Sequence, residues 1–239
     1  MAHWMMMDWI LPAHTGKETL GIALRWAHIV AGVTWLGLLY FFVLIGGPFL
    51  QQLDADARPR ALQTLILPTL NWFRWSALAT MFFGLWYWSD IYVAAAAHLA
   101  GKNPWSTIGL FVLVWGFAWH TFFALVKRTP NPWVLAVVTV LLIIAAGWVF
   151  TTYAPVGRDD NHVLSIGIGG GLGFFMGGNV WSIVWPNYRK LIYGVGGKPP
   201  ENAAKLQRQI FLAARANFYL SFPMLFFMVA GSHYPLFGR

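Results

Sequence analysis

The sequence predicts an all-α, polytopic integral membrane bundle of about six transmembrane helices, and three observations carry that expectation. Of 239 residues, 58% are hydrophobic and 18% aromatic. Only 10% are charged, where a soluble domain carries roughly 25%, and the mean hydropathy is +0.57. The charges fall between apolar blocks, and each block approaches the roughly 20 residues that a helix needs to cross a bilayer. Disorder requires low hydrophobicity, and nucleic-acid binding requires dense basic charge; this composition has neither, so no nucleic-acid partner is expected.

The first helix is expected from about Leu20 to Gly46, with Arg25 near its start, and the second from about Asn71 to Ala97, with Arg74 and Asp90 near its ends. The third, about Trp105 to Val126, and the fourth, about Pro132 to Tyr153, hold no charge and are joined by KRTPNP, which reads as a helical hairpin. The fifth, about His162 to Trp185, is rich in glycine. The sixth, about Ile210 to Gly231, carries Arg215 and an internal Pro223 expected to kink it. The longest connections are expected over 47–70 and 186–209. HWMMMDWILP, ahead of the first span, reads as an amphipathic interfacial anchor, which would change the helix count by one. The first apolar segment is too long for a signal-peptide core and no A-x-A site follows, so it is read as a mature helix. Without an internal repeat or low-complexity linker, residues 1–239 are expected to form a single transmembrane domain.

Orientation follows from Lys and Arg, which concentrate on the cytoplasmic side. The connections after helices one, three and five hold nine: Arg58, Arg60, Lys127, Arg128, Arg189, Lys190, Lys198, Lys205 and Arg208. The other side holds four: Lys17, Lys102, Arg158 and Arg239. Both termini are therefore expected outside the cytoplasm, in the periplasm of a bacterial inner membrane.

That topology sorts the histidines by depth. His28, His162 and His233 come from different helices near the outer level, with His98 just beyond it, while His120 lies alone toward the inner side. Imidazoles converging from several helices suit ligation of a b-type haem iron, so haem b is the expected cofactor, with His28 and either His162 or His233 as ligands. Arg25 lies three residues before His28 and shares its face, where it can neutralise a propionate. A face through His162, Ile166, Gly169, Gly173 and Gly177 is smooth enough for a macrocycle or for a packed helix. Other histidines, His3, His14 and His98, read as interfacial, Asp90 as a solvated cap, many of the 15 Trp residues as aromatic belts, and Met176, Met224 and Met228 as core rather than ligands.

The chain has no cysteine. It can therefore build no disulfide, thiolate metal site, iron–sulfur cluster or CxxCH haem attachment, and a covalent cytochrome c has to be another polypeptide. No GxSxG, P-loop, dinucleotide-binding or HExxH pattern occurs, and no inverted repeat suggests a secondary transporter.

Four segments together, RWAHIVAGVTWLGLLYFF, LNWFRW, GGNVWSIVWPNYRKLI and ARANFYLSFPMLFFMVAGSHYP, resemble the membrane domain of the bacterial cytochrome-c-linked urate hydroxylases, the urate oxidase N-terminal family. The resemblance implies a helical membrane domain working with a periplasmic cytochrome c domain, which is expected on a separate chain because this sequence ends at Arg239. His28, Asn217 and His233 match the family pattern. Asn71 stands where the family is expected to carry histidine, and the stretch from Gly47 to Pro68 is shorter than its counterpart; both departures weaken the inheritance of urate chemistry and leave a second, inner site around Asn71 and His120 incomplete. The leading expectation is a membrane redox subunit that binds haem b and exchanges electrons with a cytochrome c. The alternatives are a urate or purine hydroxylase membrane subunit and a cofactor-free accessory subunit of a respiratory or photosynthetic complex.

Overall fold

The structure, a computed structural model, describes residues 16–194 and 200–237, and every regular element among them is helical. Continuous helices run over Gly16–Gln52 (α1), residues 57–100 (α2), Trp105–Arg128 (α3), Pro132–Tyr153 (α4), Asn161–Tyr193 (α5) and Ala203–His233 (α6). All but α2 are long and apolar enough to cross a membrane. The Trp and Tyr residues of α2, with Asn71, Arg74 and Asp90, lower its mean hydropathy. It nonetheless lies antiparallel along α1: Gly21 meets Ile91, His28 meets Thr80, and the Phe42 and Phe73 rings stand 5.5 Å apart. A membrane crossed by α1 is therefore crossed by α2. The chain is a multi-pass membrane protein.

The connections expected over 47–70 and 186–209 are largely helical instead. The correction has a physical cause in four wide, π-helical segments: Phe41–Gly46, Leu62–Ile66, Trp88–Val93 and Val180–Val184. Three of them stand directly before a segment with proline in its first turn, at Pro48, Pro68 and Pro186. Proline lacks an N–H and its ring crowds the preceding turn, which ordinarily ends a helix. A π turn absorbs that misfit locally and lets the helix continue. Pro223 likewise sits inside uninterrupted helix in α6. HWMMMDWILP, His3, His14, Lys198 and Arg239 lie outside the described residues.

The centre of the bundle is α5. In its most apolar stretch 78% of residues are buried, against 17 to 28% in α1, α3, α4 and α6. Lipid tails are as apolar as leucine, so helices in a membrane are held by close packing and hydrogen bonds. Both are present here. Phe150 of α4, Trp115 and Trp119 of α3 and Met81 of α2 each press onto a glycine of α5, at Gly167, Gly171, Gly178 and Gly177. Along the α5–α6 seam, Asn179 Nδ2 donates to Asn217 Oδ1 (2.9 Å), Asn217 Nδ2 to the Met176 carbonyl (2.9 Å), and Asn187 Nδ2 to Gln209 Oε1 (2.9 Å).

Asn161 closes the seam at the opposite end. Its amide nitrogen donates to the carbonyls of Ala230, Gly231 and Tyr234, and its Oδ1 accepts from Ser165 Oγ and from the backbone N–H of Leu236 and Phe237. Asn161→Ala is expected to destabilise the protein by about 2 kcal/mol and to open residues 234–237 to protease. An unchanged cleavage pattern would mean that Asn161 does not pin this end.

Lys127 of α3 lies near Lys190 and Lys205, and Arg208 caps α3 through the carbonyls of Val126, Thr129 and Pro130. One end of the bundle therefore gathers the basic residues, the end that the charge count assigns to the cytoplasm.

Candidate functional site

Toward the other end, α1, α2, α5 and α6, with Phe111 of α3, line a cavity of about 580 Å³, within the size range of ligand and cofactor pockets. Its walls are mostly apolar: Leu36, Leu85, Phe111, Phe174, Met224 and Met228 among them. Its polar groups are few. Arg25, Tyr87, Tyr92, Ser232 and His233 line it together with His28 and Thr80.

His28 is held in a defined state. Its Nδ1 lies 2.9 Å from the Thr80 carbonyl, and a carbonyl only accepts, so Nδ1 donates; in the neutral ring this leaves the lone pair on Nε2. Metal-ligating histidines are commonly oriented in this way by a hydrogen bond to their other nitrogen. The ring has room because residue 84 is glycine: a Cβ there would stand 2.6 Å from both Nδ1 and Cε1 of His28.

Of the residues singled out from the sequence, the structure brings Arg25, His28, Gly173 and His233 to the cavity. Arg25 and His233 are exposed, at its edge, and His28 is half-buried within it. His162 is not a lining residue. Its ring stacks on Tyr92 at 4.9 Å, with Nδ1 3.6 Å from Asp160 Oδ1. Gly169 faces α6, where a Cβ would lie 3.2 Å from the Met224 carbonyl and the Met228 nitrogen; Gly170 lines the cavity beside Gly173. The glycine face of α5 thus serves both of the uses open to it, a packed helix at Gly169 and a cavity wall at Gly173. His98 and His120 are exposed, and Asn71 accepts from Arg74 Nε at 3.1 Å. No group of three or more metal-binding side chains occurs among the described residues.

One residue of the site escaped the sequence reading. Thr80 acts through its backbone carbonyl, which no side-chain pattern reveals. Trp35 is fully buried and lines the cavity, and its indole N–H has no partner, whereas buried indole N–H groups usually find one. Its place two helical turns after His28, continuing the Arg25–His28 face of α1 together with Gly32, was legible from its spacing; its unpartnered indole N–H was not.

A b-type haem would need an imidazole lone pair, a flat apolar slot and cationic or hydroxyl groups at the slot's edge for its carboxylates. His28 Nε2, the walls at Gly170 and Gly173, and Arg25 with Ser232 are of those kinds. The residues present fit the group.

No curated protein sequence and no solved structure matches this chain. A family model described as urate oxidase N-terminal matches residues 46–238. The matched stretch holds three of the four resembling segments and the α2, α5 and α6 walls of the cavity, while Arg25 and His28 on α1 precede it. With most of its length matched, the chain belongs to the urate oxidase N-terminal family.

Proposed function

We propose that this chain is a redox-active membrane subunit of a urate-hydroxylase-like system, with a b-type haem in the cavity between α1, α2, α5 and α6 and a separate cytochrome c as its electron partner. The observation that carries the reading is the His28–Thr80 hydrogen bond, which fixes an imidazole at the cavity with Nε2 available as a ligand. The haem supplies a one-electron couple. Around it, His28 binds the iron, Arg25 neutralises a carboxylate, and Gly170 and Gly173 admit the flat ring. His233, at the cavity edge, is better placed than His162 to be the second ligand. The aliphatic and aromatic walls exclude water.

In this reading the chain sits in a bacterial inner membrane with both termini periplasmic, an orientation supported by the nine-to-four charge count and by the gathering of Lys127, Lys190, Lys205 and Arg208 at one end of the bundle. That orientation puts the cavity in the periplasmic half of the bundle, on the side where a cytochrome c resides. The reading is tested by a haemochrome assay on the detergent-purified chain. A b-type haem in near-stoichiometric amount is expected, and a preparation with none, from cells supplied with haem precursor, contradicts it.

Membership of the urate oxidase N-terminal family favours a second reading, the membrane subunit of a urate or purine hydroxylase. Membranes containing the chain would then reduce added cytochrome c in response to urate. No urate-dependent reduction with a competent cytochrome present removes that reading and leaves the first standing.

A further inference from the structure

At the basic end, away from the cavity, two of the resembling segments meet around an arginine. Arg74 of α2 lays its guanidinium over the Trp185 ring at 3.8 Å, with Trp75 at 5.3 Å and Trp181 at 5.4 Å. Trp181 Nε1 donates to the Arg74 carbonyl at 3.1 Å, which ties α5 to α2 at this point. Trp181, Trp185 and Arg189 follow one another at four-residue intervals and share a face of α5. Arg189 approaches the same Trp185 ring at 6.0 Å and lies close enough to repel Arg74.

Two like charges therefore converge on one indole. No carboxylate among the described residues is paired with either arginine. Arg74 Nε is engaged by Asn71 Oδ1, and the terminal nitrogens of its fork have no partner among the described residues. Cation–π contact stabilises each arginine on the ring but leaves their mutual repulsion uncompensated. An anion with several oxygens, set between the two forks, would offset it, and a phosphate matches the geometry of such forks.

The surroundings identify where that phosphate comes from. Trp72 and Trp75 beside Arg74 are 69% and 50% exposed on the outside of the bundle, in the belt position that tryptophan takes at a membrane interface. A group reaching Arg74 from that side arrives through headgroups and acyl chains rather than through bulk water. Basic pockets between transmembrane helices on the cytoplasmic side are suited to anionic headgroups.

We infer that Arg74 and Arg189, plated on Trp185 and flanked by Trp75 and Trp181, form a binding site for the phosphate of an anionic phospholipid in the inner leaflet. The test is native mass spectrometry of the full chain released from micelles containing dioleoylphosphatidylglycerol, dioleoylglycerol or inorganic phosphate with neutral detergent. One retained phosphatidylglycerol is expected, with no dioleoylglycerol adduct and no displacement by inorganic phosphate. The Arg74→Gln/Arg189→Gln variant should bind that lipid at least about tenfold more weakly. Arg189→Gln alone, at an exposed position, keeps the test informative if the double variant does not fold, and should give a smaller loss. Arg74→Lys, which keeps the charge and loses the fork, should fall between the wild type and Arg74→Gln. Equal phosphatidylglycerol retention by the wild type and the arginine variants overturns the site, and displacement by inorganic phosphate at millimolar concentration overturns the lipid as its occupant.

Discussion

Gly171→Leu is expected to leave no folded bundle. A Cβ at position 171 would fall within the Trp115 indole, and Trp115 is itself fully buried between α3 and α5. Overpacking a core ordinarily costs about 1–3 kcal/mol, because side chains leave their rotamers. Here the obstruction is a rigid ring that is itself completely buried. Nor can α5 slide aside, since Gly167 is held against Phe150 of α4, Gly177 against Met81 of α2 and Gly178 against Trp119. Fluorescence-detected gel filtration in mild detergent should lose the monodisperse peak, or show an apparent Tm lower by roughly 10 °C or more. Gly170→Ala is the control. Its Cβ would meet Phe111 and Met228 only at ordinary contact distances of 3.8 and 3.9 Å, so the peak should be unchanged. A leucine variant as stable as the wild type would show that α5 is not the tightly packed centre of the bundle.

The second large effect is expected at Gly84, with the fold intact. A methyl group there would stand 2.6 Å from two atoms of the His28 ring. The ring, being the end of a side chain, can turn away at modest cost in stability, about 1 kcal/mol for the lost hydrogen bond. Turning breaks the bond to the Thr80 carbonyl and with it the alignment of Nε2. Removing such an orienting partner typically weakens metal binding by about 10–100-fold. Gly84→Ala should therefore elute as a folded monodisperse species that has lost most of its haem. Undiminished haem in the folded variant would separate His28 from the cofactor.

Much of the architecture was legible because the bilayer imposes a length and a polarity on every crossing. The spans around Trp105 to Val126 and Pro132 to Tyr153 were readable to within two residues. The extensions of α1, α2 and α5 were not, since Pro48, Pro68 and Pro186 carry the ordinary signature of a helix end. Only the π segments before them let the helix pass.

The site was legible where chemistry sits in a side chain near a helix face. Arg25 and His28, three residues apart, do share the cavity. It was illegible where geometry decides, as between Gly169, which meets α6, and Gly170, which meets the cavity. His162 illustrates the limit of depth alone: it lies at the expected level but turns toward Tyr92 and Asp160. The cation–π cluster at Arg74 depends on α2 and α5 lying side by side, a pairing that no spacing within either segment encodes.

The most direct test of the account is the dithionite-reduced minus oxidised visible spectrum of the purified chain, recorded beside His28→Ala. The account predicts a b-type signal in the intact protein and its loss in a variant that still elutes as a folded species. An intact, folded protein without that signal, or a variant that retains it in full, would contradict the assignment of His28 and its cavity to haem.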